Sequence, residues 1–380
     1  MKSSKIRQIR IKIILILFSV ITLCVGSMVY AETNWSFVPP KSYIAYRLDQ
    51  SITLDGKADE TAWENAQWSD LFVDIEGNKK PVPRFNTRVK MLWDENFLYI
   101  YAELEEPHVW GDITTRDEVI FYNNDFEVFI KTSPFATQYV EFEMNALGTV
   151  WDLLLFNTYR HNVPVVNEWD MKGIKIGIDV EGSLNNAEDT DKGWNFEIAL
   201  PLKDIAETGS RNNLPKDGSQ WQLNFSRVQW QHEMVEGKYQ RKKNALGKYL
   251  PEDNWVWSPQ GIIAMHQPET WGILQFSTNT KSSTTFIAND EQVIEQSLYY
   301  LYRQQLQYFN EHGHYAKTID ALISLPLLVN NQRIDARLIT TLFGYEISVN
   351  NTKTKLTSVI NQHSQLQRIP MGSGGIHRYE

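Results

Sequence analysis

The sequence predicts a mainly β chain, an antiparallel β-sandwich of jelly-roll type followed by a small α+β unit. Three observations carry this. Apolar residues recur at a spacing of two from residue 87 to 277. Clusters of Gly, Pro, Asn and Asp separate the alternating runs. No comparably long stretch of helical periodicity interrupts them. Period-two alternation marks half-buried strands, and turn-forming residues between short runs mark an antiparallel sandwich.

Val89, Met91 and Trp93 alternate first, then Leu98, Ile100 and Ala102 beyond an Asp94-Glu95-Asn96 turn. Val140, Phe142 and Met144 follow, and Val150–Phe156 is a more continuously apolar run. Ile174, Ile176, Ile178 and Val180 repeat the pattern, as do Trp194, Phe196 and Ile198, and then Trp221, Leu223 and Phe225. Trp63, Trp93, Trp194 and Trp221 sit at core-facing phases, where large aromatics dominate packing. Residues 278–285, rich in Ser, Thr, Asn and Lys, read as a linker. Beyond them Val293, Ser297, Leu298, Leu301, Tyr302, Gln305 and Tyr308 fall at three- and four-residue steps, with Asn289 and Gln292 as a start signal and Gly313 as a stop. A shorter helix capped by Thr318 is expected before Pro326, then weak alternation from Leu338 to Ile369 and a flexible tail around Gly372–Gly375. The sandwich is assigned to 32–277 and the α+β unit to 286–380. The helix of that unit is expected to pack on its own sheet and not on a membrane.

The first 31 residues are different. Lys2, Lys5, Arg7, Arg10 and Lys12 precede an apolar run from Ile13 to Val25, and Val29 and Ala31 stand at signal-cleavage positions. That order predicts a cleaved secretory signal and an exported protein, periplasmic, surface-bound or secreted. The competing readings are an uncleaved anchor and, less favoured because Leu23 is bulky, a lipid anchor at Cys24. Cleavage would lower the net charge from −9 to −14 and remove Cys24, the single cysteine. A mature chain of this kind has no disulfide and no thiol chemistry. Its acidity excludes nucleic acid, whose phosphates it would repel, and favours neutral partners.

Seven segments in order, spread over about 220 residues, resemble the family-9 carbohydrate-binding modules. They are Leu54–Trp63 (LDGKADETAW), Val89–Tyr101 (VKMLWDENFLYIY), Asn124–Ile130 (NDFEVFI), Phe142–Gly148 (FEMNALG), Gly193–Pro201 (GWNFEIALP), Gln220–Arg227, and Trp257-Ser258-Pro259 with Pro268–Phe276. The resemblance implies a site where a sugar lies between two Trp rings while a Glu, an Arg and an Asn bond its hydroxyls. Carried over, the Glu falls on Glu127 and the Asn on Asn145. The Arg position falls on Glu143, a reversal of charge. The first Trp falls on Phe121, beside Tyr122, and the second on Met265, beside His266. Trp257 and His266 are expected as rim contacts. The implied ligand is a poly- or oligosaccharide, bound in support of glycan breakdown. A glycoside hydrolase or a component of the cell envelope is the implied partner.

Chemistry is not signalled. Glycosidases need two carboxylates about 5–10 Å apart in a cleft, and nothing singles out a pair such as Glu141/Glu143. There is no serine elbow, His-Glu-x-x-His helix or phosphate loop, and the histidines lack metal-ligand spacing. The reading leans away from an enzyme. No cofactor is required. The resemblance implies structural calcium, for which Asp189 and Asp191 with Asn185 and Asn186 are the candidates. Two other functions stay open. One is a b-type haem held by Met265, His266 or Met144, and the other is a surface module that only bridges proteins.

Overall fold

The computed structural model describes residues 39–64, 66–209, 214–279, 284–324, 326–329 and 332–372. The expected signal segment, the centre of the expected linker and most of the expected tail lie outside these residues. The chain forms two compact units, one ending at Val293 and the other beginning at Ile294. No helix of the described residues is long and apolar enough to cross a membrane.

The first unit is built from β1 (Ser42–Arg47), β2 (Val73–Asp74), β3 (Thr87–Trp93), β4 (Phe97–Glu105), β5 (Asp125–Lys131), β6 (Tyr139–Asn145), β7 (Val150–Leu155) and β8 (Val165–Val166). It continues with β9 (Lys175–Glu181), β10 (Gly193–Pro201), β11 (Gln220–Gln229), β12 (His232–Val235), β13 (Lys238–Arg241), β14 (Asp253–Val256) and β15 (Gly272–Ser277). Apart from the β12–β13 hairpin, the strands follow one hydrogen-bonded path, β8-β7-β6-β5-β11-β15-β1-β3-β4-β10-β9, with β14 joined to β11 and β2. The path folds over on itself. Inward residues of β3, β4 and β10 meet inward residues of β5, β6 and β11 in one core. β1 makes the corner, and it departs from the expected antiparallel scheme by pairing parallel with both β15 and β3.

The alternation seen in the sequence becomes the sandwich directly. Val89, Met91 and Trp93 share one core with Phe126, Val128 and Ile130 and with Trp194, Phe196, Trp221 and Phe225 of β10 and β11. The Asp94 turn forms because its Oδ1 accepts the N–H groups of Asn96 and Phe97 at 2.7 and 2.8 Å. The run at β7 is apolar apart from Asp152, because both its faces are covered. Val150 enters the main core, while Leu153 and Leu155 join an outer cluster with Phe129, Tyr139 and Trp271.

Trp63 is buried, but on the opposite face from the position expected. It packs with Tyr46, Leu92 and Tyr101 outside the main core. Its Nε1 donates to Glu197 at 2.8 Å, and the same carboxylate accepts the N–H groups of Asp55 and Gly56. Gly56 has φ +87°, and a Cβ there would stand 2.2 Å from the Asp179 nitrogen. The Asp-Gly and Trp of the opening segment are thus tied to the Glu of the Gly193–Pro201 segment. Arg227, fully buried, bonds Thr87, Gln229 and Glu106, so it too serves the frame.

The second unit contains α1 (Asp290–His312), which begins in the first unit, and the strands Ala336–Thr340, Tyr345–Asn351, Leu356–Asn361 and Leu366–Pro370, a four-stranded antiparallel meander. Gly313, at φ +73°, ends α1 with its N–H on the Phe309 carbonyl. The helix expected after Thr318 is only a 3₁₀ turn, Ile319–Ala321, and Thr318 makes no side-chain cap to it. Within this unit Arg368 lies 3.6 Å from Glu295, and Tyr299 donates to the Ser364 carbonyl.

Candidate functional site

Because Phe126, Val128 and Ile130 point inward, Asp125, Glu127 and Phe129 must emerge on the outer face of β5. On β6 the same rule sends Tyr139, Glu141, Glu143 and Asn145 outward. The register then builds rows across the sheet. Ser226 of β11, Glu127 of β5, Glu143 of β6 and Trp151 of β7 are successive direct partners. The neighbouring row is Asn224, Phe129, Glu141 and Leu153.

Two loops wall this face. The segment after β14 is held by Asn224, which bonds both the Ser258 N–H and the Ser258 carbonyl, and by Trp271, whose Nε1 donates to the Met265 carbonyl at 2.8 Å. The turn Tyr159–His161 is pinned to the same segment by a two-pronged Arg160–Glu269 pair, both contacts at 2.8 Å. His266 sits between them. One ring nitrogen bonds the Tyr139 hydroxyl at 2.8 Å, and the ring packs 4.0 Å from that of Tyr159.

The half-open cavity between these walls measures about 210 Å³. Phe121, Phe129, Trp151, Tyr159, Met265 and His266 supply its apolar walls, and Glu127, Glu141, Glu143, Glu252 and Asn254 its polar ones. Burial pushes Glu127 up to about 7, against the hydroxyl of Ser226, which favours its charged form. Burial first and neighbouring carboxylates second hold Asp125, Glu141 and Glu143 well above the usual carboxylate range. Burial lowers His266 to about 3, so its imidazole is neutral at physiological pH. Among the described residues no Arg or Lys pairs with these four acids, and the nearest basic group is the His266 Nε2, 3.9 Å from Glu141.

Of the residues singled out from sequence, Phe121, Glu127 and His266 line the cavity, as do Glu143 and Met265 at the carried-over Arg and second Trp positions. Tyr122 is 47% exposed, packs on the Phe121 ring at 4.7 Å and carries the Arg241 guanidinium above it, outside the cavity. Asn145 is on the correct strand face, but its amide is consumed by a turn. It donates to the Ile113 carbonyl and to Asn123, and accepts from Leu147 and Thr149. Trp257 is not a rim residue. It is 1% exposed in the sandwich core, pressed against Gly272. Trp151, Tyr159 and Glu141 line the site without having been singled out for it.

In the loop considered for calcium, Asp189 accepts from the Ser183 hydroxyl through Oδ2 and keeps a buried Oδ1 without a hydrogen-bond partner. Asp191 spends one oxygen on the Val109 N–H and the other on the Ser183 N–H, while Asn185 bonds Gly111 in both directions. Met144 is fully buried in the core, and the His266 nitrogens face Tyr139 and Glu141.

Residues 54–224 match the family described as "Carbohydrate family 9 binding domain-like". Solved structures similar to the chain include three. One, from Bacteroides uniformis, has 14% identity, covers 63% of this chain and all of its own, and gives a TM-score of 0.46. The others are a family 9 carbohydrate-binding module from Caldicellulosiruptor kristjanssonii in complex with cellotriose (13% identity, 66% of this chain and 100% of that one, TM-score 0.38) and with glucose (14%, 64% and 100%, TM-score 0.40). No curated protein matches the chain.

Proposed function

We propose, from a chain whose residues 54–224 carry a domain of the carbohydrate family 9 binding domain-like family, that the outer-face cavity of β5, β6 and β7 binds a sugar unit non-covalently. The observation that supports this most is the meeting of aromatic walls with carboxylates in one small cavity. Trp151, Tyr159 and Phe121 stand beside Glu127, Glu141 and Glu143. A pyranose has an apolar C–H face that packs on rings and a polar rim that needs paired donors and acceptors. At about 210 Å³ the cavity is smaller than the ~300–1,000 Å³ of sites for drug-sized ligands, which suits one sugar unit better than a buried chain.

Glu127 and Glu143 accept hydroxyl hydrogens when ionised and can donate when protonated. Trp151 and Tyr159 take the stacking role that Met265 cannot fill, since a thioether makes a poorer wall than a ring. Around this centre the reading extends to an exported accessory of polysaccharide breakdown that acts outside the cytoplasm and alongside a glycoside hydrolase or an envelope component.

Isothermal titration of the protein with xylo-, cello-, manno- and pectic oligosaccharides tests the reading. Saturable heat with one class, lost in Glu127→Ala while the far-UV spectrum and Tm hold, supports it. No heat with any class would overturn it.

A further inference from the structure

We infer that Asp125, Glu127 and Glu143 bind a divalent cation of the calcium type on the outer face of β5 and β6, where Glu127 and Glu143 also line the cavity. The inference rests on the carboxylates alone, so a failed sugar titration leaves it standing.

Each of the three offers a carboxylate oxygen, and these oxygens lie within 4.8 Å of one another. All three side chains are buried, at 1%, 6% and 2% exposure. Asp125 carries the argument. Neither of its oxygens has a hydrogen-bond partner. The Val228 N–H is near enough to favour its charge but does not meet hydrogen-bond geometry. Buried polar atoms are nearly always satisfied, and an unpaired buried charge is among the costliest things a fold can hold. Protonation would remove the charge at Asp125 yet leave its oxygens unpartnered. A cation among the three groups removes both costs.

A second cluster supplies the contrast. Asp117, Asp152 and Asp170 also gather three carboxylates, but Arg116 stands among them and pairs with each. Where the fold collects acids in that cluster, it provides a guanidinium; at Asp125, Glu127 and Glu143 none of the described residues does so. Hard cations such as calcium take six to eight oxygen ligands at about 2.3–2.6 Å, chiefly from carboxylates, with neutral oxygens and water completing the shell. The hydroxyl of Ser226, directly opposite Glu127 in the ladder, is a neutral oxygen placed beside the group.

The test uses the full chain stripped with EDTA and titrated with CaCl₂ by calorimetry, with thermal melts in parallel. The expected result is one saturable site and a raised Tm. Asp125→Asn should weaken binding at least tenfold, while Asp189→Asn, in the acidic loop, should leave it unchanged. Glu143→Gln should reproduce the Asp125→Asn loss if the latter folds poorly. No saturable binding by the wild-type chain at millimolar CaCl₂ would overturn the inference. So would binding that survives both Asp125→Asn and Glu143→Gln, or a Tm raised by glucosamine and not by CaCl₂, which would assign an organic amine instead.

Discussion

Glu127 and Glu143 stand directly opposite each other in the β5–β6 ladder, both on the outer face and both buried. Facing like charges destabilise a strand pair, so the fold tolerates them only by keeping protons or by gaining a ligand. Their position makes the site's occupancy a matter of pH as well as of affinity.

The metal-free protein should therefore lose stability as pH rises. Glu127 is raised to about 7 by burial, and Asp125, Glu141 and Glu143 are raised further by burial and mutual repulsion. A carboxyl raised by folding keeps its proton in the folded chain where the unfolded chain has released it. Stability is then full below the ordinary carboxylate range and falls as pH climbs through the folded value. Melts in EDTA should show Tm falling between about pH 5 and 8, with a shallower fall in Glu127→Gln. Each kcal/mol corresponds to about 2–4 °C for a domain of this size. A Tm that climbs over this window would contradict the burial argument.

Trp151→Ala and Tyr159→Ala should each weaken sugar binding by about tenfold or more, because truncating a ring that anchors a ligand typically costs 1–2 kcal/mol or above. Trp151→Phe should recover part of the loss. Tyr122→Ala, by contrast, should change affinity less than threefold, since Tyr122 lies outside the cavity under Arg241. Competition calorimetry with the strongest sugar of the panel would rank the four variants. A larger loss at Tyr122 than at Trp151 would move the stacking wall to the Arg241 side.

Much of the fold was legible in the sequence because half-burial writes itself as alternation, as in Phe126, Val128 and Ile130. The site was legible where a carried-over residue also kept its strand phase, as Glu127 does. Trp151 was hidden because β7 is apolar on both faces and reads as an undivided core strand. Tyr159 was hidden because its place depends on Arg160 meeting Glu269, 109 residues away. Trp257 misled for a related reason. Its Trp-Ser-Pro segment suggests a surface loop, yet Trp257 and Trp255 both enter the core.

Asn145 and Trp257 should behave as structural residues. Asn145→Ala removes two donated and two accepted bonds in the turn before β7. Unmet buried partners cost about 1–3 kcal/mol each, so the variant should lose several kcal/mol in urea unfolding. Trp257→Ala leaves a cavity in the core and should cost about 3–5 kcal/mol. In both variants the fraction that folds should bind sugar with unchanged affinity. An intact Tm with lost affinity in Asn145→Ala would return Asn145 to the site.

The last prediction concerns the opposite face, where Glu197 joins the opening segment to β10. The carboxylate is fully buried and accepts from Trp63 Nε1, Asp55 N and Gly56 N at 2.8, 2.9 and 3.1 Å. Burial lifts it to about 7, while those three donors pull it back toward the charged form. Glu197→Ala strands all three donors and should cost about 3 kcal/mol or more. Glu197→Gln keeps one acceptor oxygen but turns an N–H toward a donor, so it should cost less than Glu197→Ala while remaining below wild type. Gly56→Ala should be as damaging as Glu197→Ala, because the added methyl meets the β9 backbone at a positive φ. Urea unfolding should leave Glu197→Gln more stable than Glu197→Ala and Gly56→Ala, which should be destabilised alike. A neutral Gly56→Ala would show that the opening segment can move away from β9 without loosening Trp63 from Glu197.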